Sequence, residues 1–253
     1  MIALSRPHGK GWYVRGDMTP RGGISQAHID LLKYMGIRFC GVNVVHSISI
    51  RRLDAAGIYA WCFGGPGTES TEGQWDPANW RATLAQSMRI GNGRIIADPE
   101  TRWPRAPVSE WHALGVALAS ACKSGFQVIA TTHGGLRTRF ARYIAPQIAP
   151  FGGMISPQLY DHMATAPLNY AESMLPKWRA TMSGCEIIPS IGAFAAGPGA
   201  GEYSAERFAA VFREYDKMPV RAAMVWPVPG NRARNNAEYA VIRRWRVGTA
   251  IEI

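Results

Sequence analysis

The sequence is poor in charged residues and has no long apolar run. Only 18% of its 253 residues are Asp, Glu, Lys or Arg, whereas 47% are hydrophobic. Disordered chains combine low hydrophobicity with high charge, so this composition excludes a disordered protein. No stretch approaches the ~18 uninterrupted apolar residues that a transmembrane helix requires. We therefore expect a globular protein without a transmembrane segment.

Cysteine is also scarce. The four cysteines, Cys40, Cys62, Cys122 and Cys185, lie far apart, and no CxxC pair occurs. This excludes a disulfide framework and predicts buried free thiols, as in a protein made in a reducing cytoplasm. The opening residues MIALSRPHGKGW lack the apolar stretch of a signal peptide, so we expect no export signal.

Acidic residues are outnumbered, 18 against 28 Lys and Arg, which gives a net charge of +10. A solvated basic surface or attraction to a polyanion, such as nucleic acid, an anionic membrane face or a cell-wall polymer, would both explain this charge. The arginines are scattered, and no RNA-binding signature, zinc-finger spacing or basic coiled coil accompanies them. We therefore expect no specific nucleic-acid partner and retain an anionic cell envelope as a partner.

Short apolar runs alternate with helical patterns along the chain. Glycine opens several runs after an amphipathic stretch, as in YMGIRF and KSGFQVIA. Helical spacing is found at 24–35, 108–123, 204–217 and near the end of the chain. The eight apolar runs are 11–18, 37–45, 57–65, 93–100, 126–134, 152–161, 186–194 and 221–228.

Eight strand–helix repeats predict an α/β protein, a single (β/α)8 TIM barrel over residues 1–253. The competing fold, an open doubly wound sheet, carries a glycine fingerprint after its first strand. The residues GDMTPRGG at that point do not match it.

Polar and aromatic residues are concentrated where the predicted strands end, which is where barrels build their active sites. The fourth run, GRIIADPETRWP, ends in Asp98 and Glu100, and carboxylates two residues apart on an extended chain point the same way. Asp98 could instead cap a helix that begins at Pro99. The other strand-end residues are Asp17, Asn43, His46, Phe63, Thr132, His133, Gln158, Tyr160, Asp161, Phe194 and Trp226.

Three of these ends resemble chitinase-type glycoside hydrolases of family 18. That family has Asp-x-Asp-x-Glu after its fourth strand, Met/Gln-x-Tyr-Asp on the sixth and Trp on the eighth, and this chain has DPE at 98–100, QLYD at 158–161 and Trp226. Asp17 with the D-x-E pair is also similar to family 25 lysozymes, which cleave peptidoglycan. The chain departs from family 18 at Gly93 and Ile96, where carboxylates are expected. It departs from family 25 at Trp226, where an acid is expected.

The resemblance implies a role for each matching residue. Glu100 would be the general acid, and Asp98 would orient a substrate acetamide whose oxygen acts as nucleophile. Tyr160 would hydrogen-bond that acetamide with Asp161 alongside, and Trp226 would stack beneath the sugar. Independently, a neighbouring carboxylate in a partly apolar pocket raises the pKa of a glutamic acid, as a general acid requires. The remaining substrate-binding candidates are Asp17, Gln158, His133, Trp103 and Trp61, and further aromatic candidates for the rim of the site are Trp12 and Phe194.

Three other interpretations stay open. His133 and His162 would suit a metal-dependent amidohydrolase, but its His-x-His on the first strand is replaced by Arg15–Asp17. The glycine-rich segments 63–70 and 193–204 would suit phosphate, although turn formation is their commoner cause. A barrel that has lost activity would serve as a carbohydrate-binding or virion structural module.

The sequence thus predicts a retaining glycosidase that uses no cofactor and no metal and cleaves an N-acetylated glycan. Peptidoglycan is the favoured substrate and chitin the second. Such a protein would be made in the cytoplasm and then reach the cell wall, as a phage endolysin does, or be carried in a virion.

Overall fold

The strands form a closed parallel barrel. The computed structural model describes residues 6–14, 23–43, 46–63, 75–90, 92–99, 102–133, 136–159, 167–182, 184–192, 205–226 and 236–247. The strands in these ranges are β1 (Gly9–Val14), β2 (Ile37–Asn43), β3 (Tyr59–Phe63), β4 (Arg94–Ala97), β5 (Gln127–His133), β6 (Met154–Gln158), β7 (Glu186–Ile187), β8 (Ser190–Gly192) and β9 (Ala222–Trp226).

Each strand pairs in parallel with its neighbours, in the order β5-β4-β3-β2-β1-β9-β8-β6, and a β5–β6 pairing closes the ring. The short strands β7 and β8 both pair with β6, so they are two segments of the seventh barrel strand. Ile188 and Pro189 separate these segments, and proline cannot donate to the ladder. The predicted (β/α)8 TIM barrel is confirmed.

Helices follow the strands and cover the barrel. Ser25 caps the first helix by accepting a hydrogen bond from the His28 amide, and Gly36 leaves it at φ +75°, a conformation that favours glycine. The fourth helix has the predicted bounds, Val108–Lys123. The α-helices are α1 (Gln26–Tyr34), α2 (Ser47–Ala55), α3 (Trp80–Ile90), α4 (Val108–Lys123), α5 (Arg137–Arg139), α6 (Ala145–Ile148), α7 (Pro167–Thr181), α8 (Ala205–Tyr215) and α9 (Asn236–Arg244), with a π-helix at Phe140–Ile144 and 3₁₀ turns at Trp103–Arg105 and Ala149–Phe151.

The buried side chains form two layers because strand residues alternate between the faces of the sheet. One layer lies between the barrel and its helices, and it includes Ala97 of β4 and Ala130 of β5. The other fills the barrel interior and consists of Tyr13, Phe39, Trp61, Phe63, Ile96, Ile129, Met154, Ile188, Ala222 and Met224. This parity identifies which residues at the carboxyl ends of the strands face the barrel axis.

All four cysteines are free, as predicted, and Cys40, Cys62 and Cys122 are buried. Burial raises the pKa of the Cys62 thiol to about 12, with Asp54 adding to the effect and Arg94 opposing it. Thiols in this state are poor nucleophiles. Within the described ranges, no helix is both long and apolar enough to cross a bilayer.

Candidate active site

Asp98 and Gln158 meet inside the mouth of the barrel. Asp98 follows β4 directly and faces inward, because Ile96 also faces the interior whereas Ala97 faces the helices. The Gln158 amide Nε2 donates to Asp98 Oδ1 at 3.4 Å, and the two residues are only 7% and 2% exposed. The ends of the fourth and sixth apolar runs, which carry the DPE and QLYD segments, are therefore in contact.

Three aromatic rings form a cluster at the mouth of the barrel. Tyr13 of β1 lies between the other two rings, with its centroid 4.5 Å from Trp226 and 5.1 Å from Phe63. Trp226 is partly exposed, whereas Tyr13 and Phe63 are buried. In the strand order, β9 with Trp226 lies four strands from β4 in either direction. Trp226 therefore stands across the barrel axis from Asp98.

His133 and Thr132 of β5 are two further polar residues near Asp98. His133 ends β5, is paired in register with Gln158 and is partly exposed. Thr132 points to the other side of the strand, and its Oγ1 donates to the Pro99 carbonyl at 3.2 Å. This bond ties the chain after Asp98 to β5.

A second attachment holds the same chain segment from the side of β3. The Trp75 amide donates to the Asp98 carbonyl at 2.8 Å, and Trp75 forms a parallel bridge with Pro99. The Trp103 indole donates to the Trp75 carbonyl, and Trp111 in turn donates to the Trp103 carbonyl. We call Trp75, Trp103 and Trp111 the tryptophan clamp. It fixes both sides of the segment that carries Glu100.

The structure corrects the predicted role of three tryptophans. Trp103 is 0% exposed and packs against Trp111 in the layer under the helices. Trp61 faces the barrel interior but is 1% exposed, and Trp12 faces the helices. None of these indoles can lie against a sugar in this arrangement, because packing covers both faces of each ring.

Asp98 does not cap the next helix either. The 3₁₀ turn at Trp103–Arg105 begins after Arg102, and α4 begins after Pro107. The helix-cap alternative for Asp98 is therefore wrong.

Several predicted site residues lie outside the described residues. They are Glu100, Tyr160, Asp161, Asp17, His162 and Phe194, and their roles stay predictions. No group of three or more His, Cys, Asp or Glu within the described ranges could hold a metal ion.

Sequence reasoning missed Tyr13, the tryptophan clamp and the inward hydroxyls of Thr131, Ser156 and Ser190. Strand parity could have identified the residues on β5 and β6. Thr131 lies two residues before His133, and Ser156 lies two residues before Gln158, so each shares the inner face with a predicted site residue. The tryptophan clamp joins distant segments, and no local pattern marks it.

Comparisons with known proteins identify the fold. No family model matches this sequence, and no curated protein matches it. Among solved structures, a family 18 chitinase from Flavobacterium johnsoniae is similar with a TM-score of 0.62 at 10% identity, over 95% of this chain and 94% of that one. The catalytic domain of a family 18 chitinase from the fern Peteris ryukyuensis gives 0.62 at 10% identity, over 93% and 97%.

An FMN-binding beta-glucuronidase from Facaelibacterium prausnitzii is also similar, with a TM-score of 0.63 at 11% identity, over 95% of this chain and 44% of that one. Identities at this level show the fold alone, since one barrel supports many chemistries. The chain thus has the closed (β/α)8 barrel fold found in family 18 chitinases and other glycoside hydrolases.

Proposed function

We propose that the protein is a glycosidase that cleaves an N-acetylated glycan at the mouth of its barrel. The observation that carries this proposal is the hydrogen bond from Gln158 to Asp98. It joins the strand end that leads to Glu100 with the strand end that leads to Tyr160 and Asp161. The carboxyl end of the strands is where barrel enzymes place their chemistry.

In the proposed reaction, Glu100 protonates the glycosidic oxygen as the bond to the anomeric carbon breaks. The acetamide carbonyl oxygen of the same sugar attacks that carbon, and Asp98 accepts a hydrogen bond from the acetamide N–H. Water then attacks the anomeric carbon and restores the acetamide, while Glu100 takes the proton of that water. Two displacements at one carbon retain its configuration.

The aromatic side of the mouth supports binding of a sugar ring. Trp226 is partly exposed, and its ring centroid lies 4.5 Å from that of Tyr13. An indole face packs against the apolar face of a pyranose, whose hydroxyl groups extend sideways. A sugar on Trp226 would direct its polar edge across the barrel toward Asp98 and Gln158.

The net charge of +10 favours peptidoglycan over chitin. Bacterial envelopes carry anionic polymers, and a basic protein is concentrated near them at low ionic strength. Chitin is uncharged and gains nothing from this attraction. We therefore propose peptidoglycan as the first substrate and chitin as the second.

The test is release of sugar from purified peptidoglycan and from chitin oligomers, measured by mass spectrometry of the soluble fragments. Wild-type protein should release fragments, and Glu100→Gln should reduce the rate at least 100-fold, which is the low end for loss of a general acid. Glu206→Gln is the matched control, because Glu206 is exposed on α8 outside the barrel mouth. Equal rates for wild type and Glu100→Gln would refute the role of Glu100.

Ile96 favours a second candidate, a barrel that binds glycan without cleaving it. Family 18 enzymes are expected to carry a carboxylate at this position, whereas Ile96 is an apolar part of the barrel interior. Pull-down of wild-type protein with insoluble peptidoglycan, without release of any soluble fragment, would support this candidate and contradict the glycosidase proposal.

A further inference from the structure

A row of hydroxyl groups crosses the barrel interior below the mouth. Ser156 Oγ lies 2.8 Å from Ser190 Oγ, which lies 3.3 Å from the Tyr13 hydroxyl. Thr131 is paired in register with Ser156 and faces the interior, since Ile129 faces it too. We call Thr131, Ser156, Ser190 and Tyr13 the hydroxyl row. It runs from β5 through β6 and β8 to β1.

One end of the hydroxyl row lies beside Asp98. Ala97 of β4 pairs with Ala130 of β5, so Asp98 and Thr131 are the next residues along the two strands. Both face inward, and adjacent strands lie ~4.8 Å apart. On the inner face of the barrel, Thr131 of β5 therefore lies between Asp98, which follows β4, and Ser156 of β6.

Thr131 Oγ1 is the part of this row whose hydrogen bonding is incomplete. Thr131 is 1% exposed, and its Oγ1 has no hydrogen-bond partner. A buried hydroxyl without a partner is unfavourable, and rotation about one side-chain bond changes its direction. The carboxylate beside it accepts hydrogen bonds only, which makes it the natural acceptor for this donor.

We infer that Thr131 is a positioning residue of the site: its hydroxyl turns toward the neighbouring Asp98 carboxylate and donates a hydrogen bond to it. Ser156, Ser190 and Tyr13 are hydrogen-bonded through their hydroxyl groups, which leaves the Thr131 hydroxyl as the donor of this row that has no acceptor. This role of Thr131 rests on the proposed function only in one respect, which is that Asp98 takes part in the reaction. Together with Gln158, Thr131 holds Asp98 in one orientation and in its charged form.

Other groups that titrate also face the barrel interior and must be separated from Thr131. His133 and Tyr13 lie near the mouth, and Asp76 pairs with Arg102 beside the segment after β4, whereas Arg94 pairs with Asp54 at the opposite end. Along the described strands, the titratable or charged side chains on the inner faces are His133, Tyr13, Tyr59, Arg94 and Glu186. None of them is altered by a substitution of Thr131.

The test measures titration of the Asp98 carboxyl without any substrate. Protein labelled with carbon-13 at the aspartate carboxyl is titrated by NMR, and Asp98→Asn assigns the Asp98 signal. In Thr131→Val, which removes only the hydroxyl, the midpoint of Asp98 should rise by about one pH unit, as expected for loss of one hydrogen bond to a charged group. Thr131→Ser, which keeps the hydroxyl, should restore the wild-type midpoint.

Thr83→Val is the matched control, because Thr83 is a buried threonine of α3 that donates to the Asn79 carbonyl outside the barrel. An unchanged midpoint in Thr131→Val, or an equal rise in Thr83→Val, would overturn the role of Thr131. Because this readout needs no turnover, failure of wild-type protein to cleave any glycan would overturn the proposed function alone.

Discussion

Removal of one indole N–H from the tryptophan clamp should weaken both the fold and the site. Trp103→Phe keeps an aromatic ring at a fully buried position but removes the donor to the Trp75 carbonyl. That carbonyl belongs to Trp75, whose backbone amide donates to the Asp98 backbone carbonyl at 2.8 Å. The substitution therefore acts on the segment that leads from Asp98 to Glu100, although Trp103 itself touches no substrate.

The magnitude has two parts. Shrinking a buried tryptophan to phenylalanine leaves a small cavity that costs about 1–2 kcal/mol. Leaving a buried carbonyl without its donor costs about 1–3 kcal/mol more. Trp178→Phe measures the cost of the cavity alone, since Trp178 is fully buried and its indole nitrogen has no hydrogen-bond partner. The difference between the two variants should thus be about 2 kcal/mol.

Urea denaturation of both variants measures this difference in the free energy of unfolding. Amide hydrogen exchange measures the local effect, because the Trp75 amide should exchange faster in Trp103→Phe than in Trp178→Phe. We also expect a lower kcat in Trp103→Phe, since small displacements of catalytic groups reduce rates strongly. Equal stabilities and equal exchange at Trp75 would refute the clamp.

Two further predictions concern the frame of the barrel. Burial lowers the pKa of Lys10 to about 8, partly opposed by Asp216, whereas an unfolded lysine titrates near 10.5. The unfolded chain therefore binds more protons than the folded protein between these two pH values, and the stability of the wild type should rise with pH across this range. Urea titrations measure this effect as the unfolding free energy of the wild type minus that of Lys10→Met, which should increase from pH 8 to pH 10.5. A difference that stays constant with pH would contradict the lowered pKa of Lys10. In Gly115→Ala, the new methyl group would lie 2.0 Å from the Tyr143 carbonyl oxygen. Thermal melting should therefore show that the free energy of unfolding falls by about 1–3 kcal/mol, although alanine has the better helix propensity. Unchanged melting would show that α4 and the π-helix can separate without cost.

The fold could be predicted from the sequence because its signals are local. A glycine after each of several amphipathic runs marks the change from helix to strand, and Gly36, Gly57, Gly125 and Gly184 all have positive φ. The apolar runs are nearly continuous, as expected for strands that are covered on both faces. Neither signal depends on contacts between distant residues.

The site was predicted less completely because its geometry depends on which face each residue occupies. Asp98 and Gln158 were identified by position at strand ends, and they are in contact. Trp103 and Trp61 were identified by residue type, and packing removes both from solvent. An aromatic residue near a strand end can fill the core or line a site, and composition does not distinguish the two.

The two halves of the barrel mouth match the two kinds of surface on a sugar. Rings from β1, β3 and β9 form one cluster, whereas the Gln158 amide of β6 donates to Asp98. The apolar Ile96 beneath Asp98 gives the interior no second carboxylate along the described part of β4. The carboxylate that follows β4 thus lies at the mouth, where the neutral amide of Gln158 donates to it, whereas the cation of Arg94 lies at the opposite end of the strand.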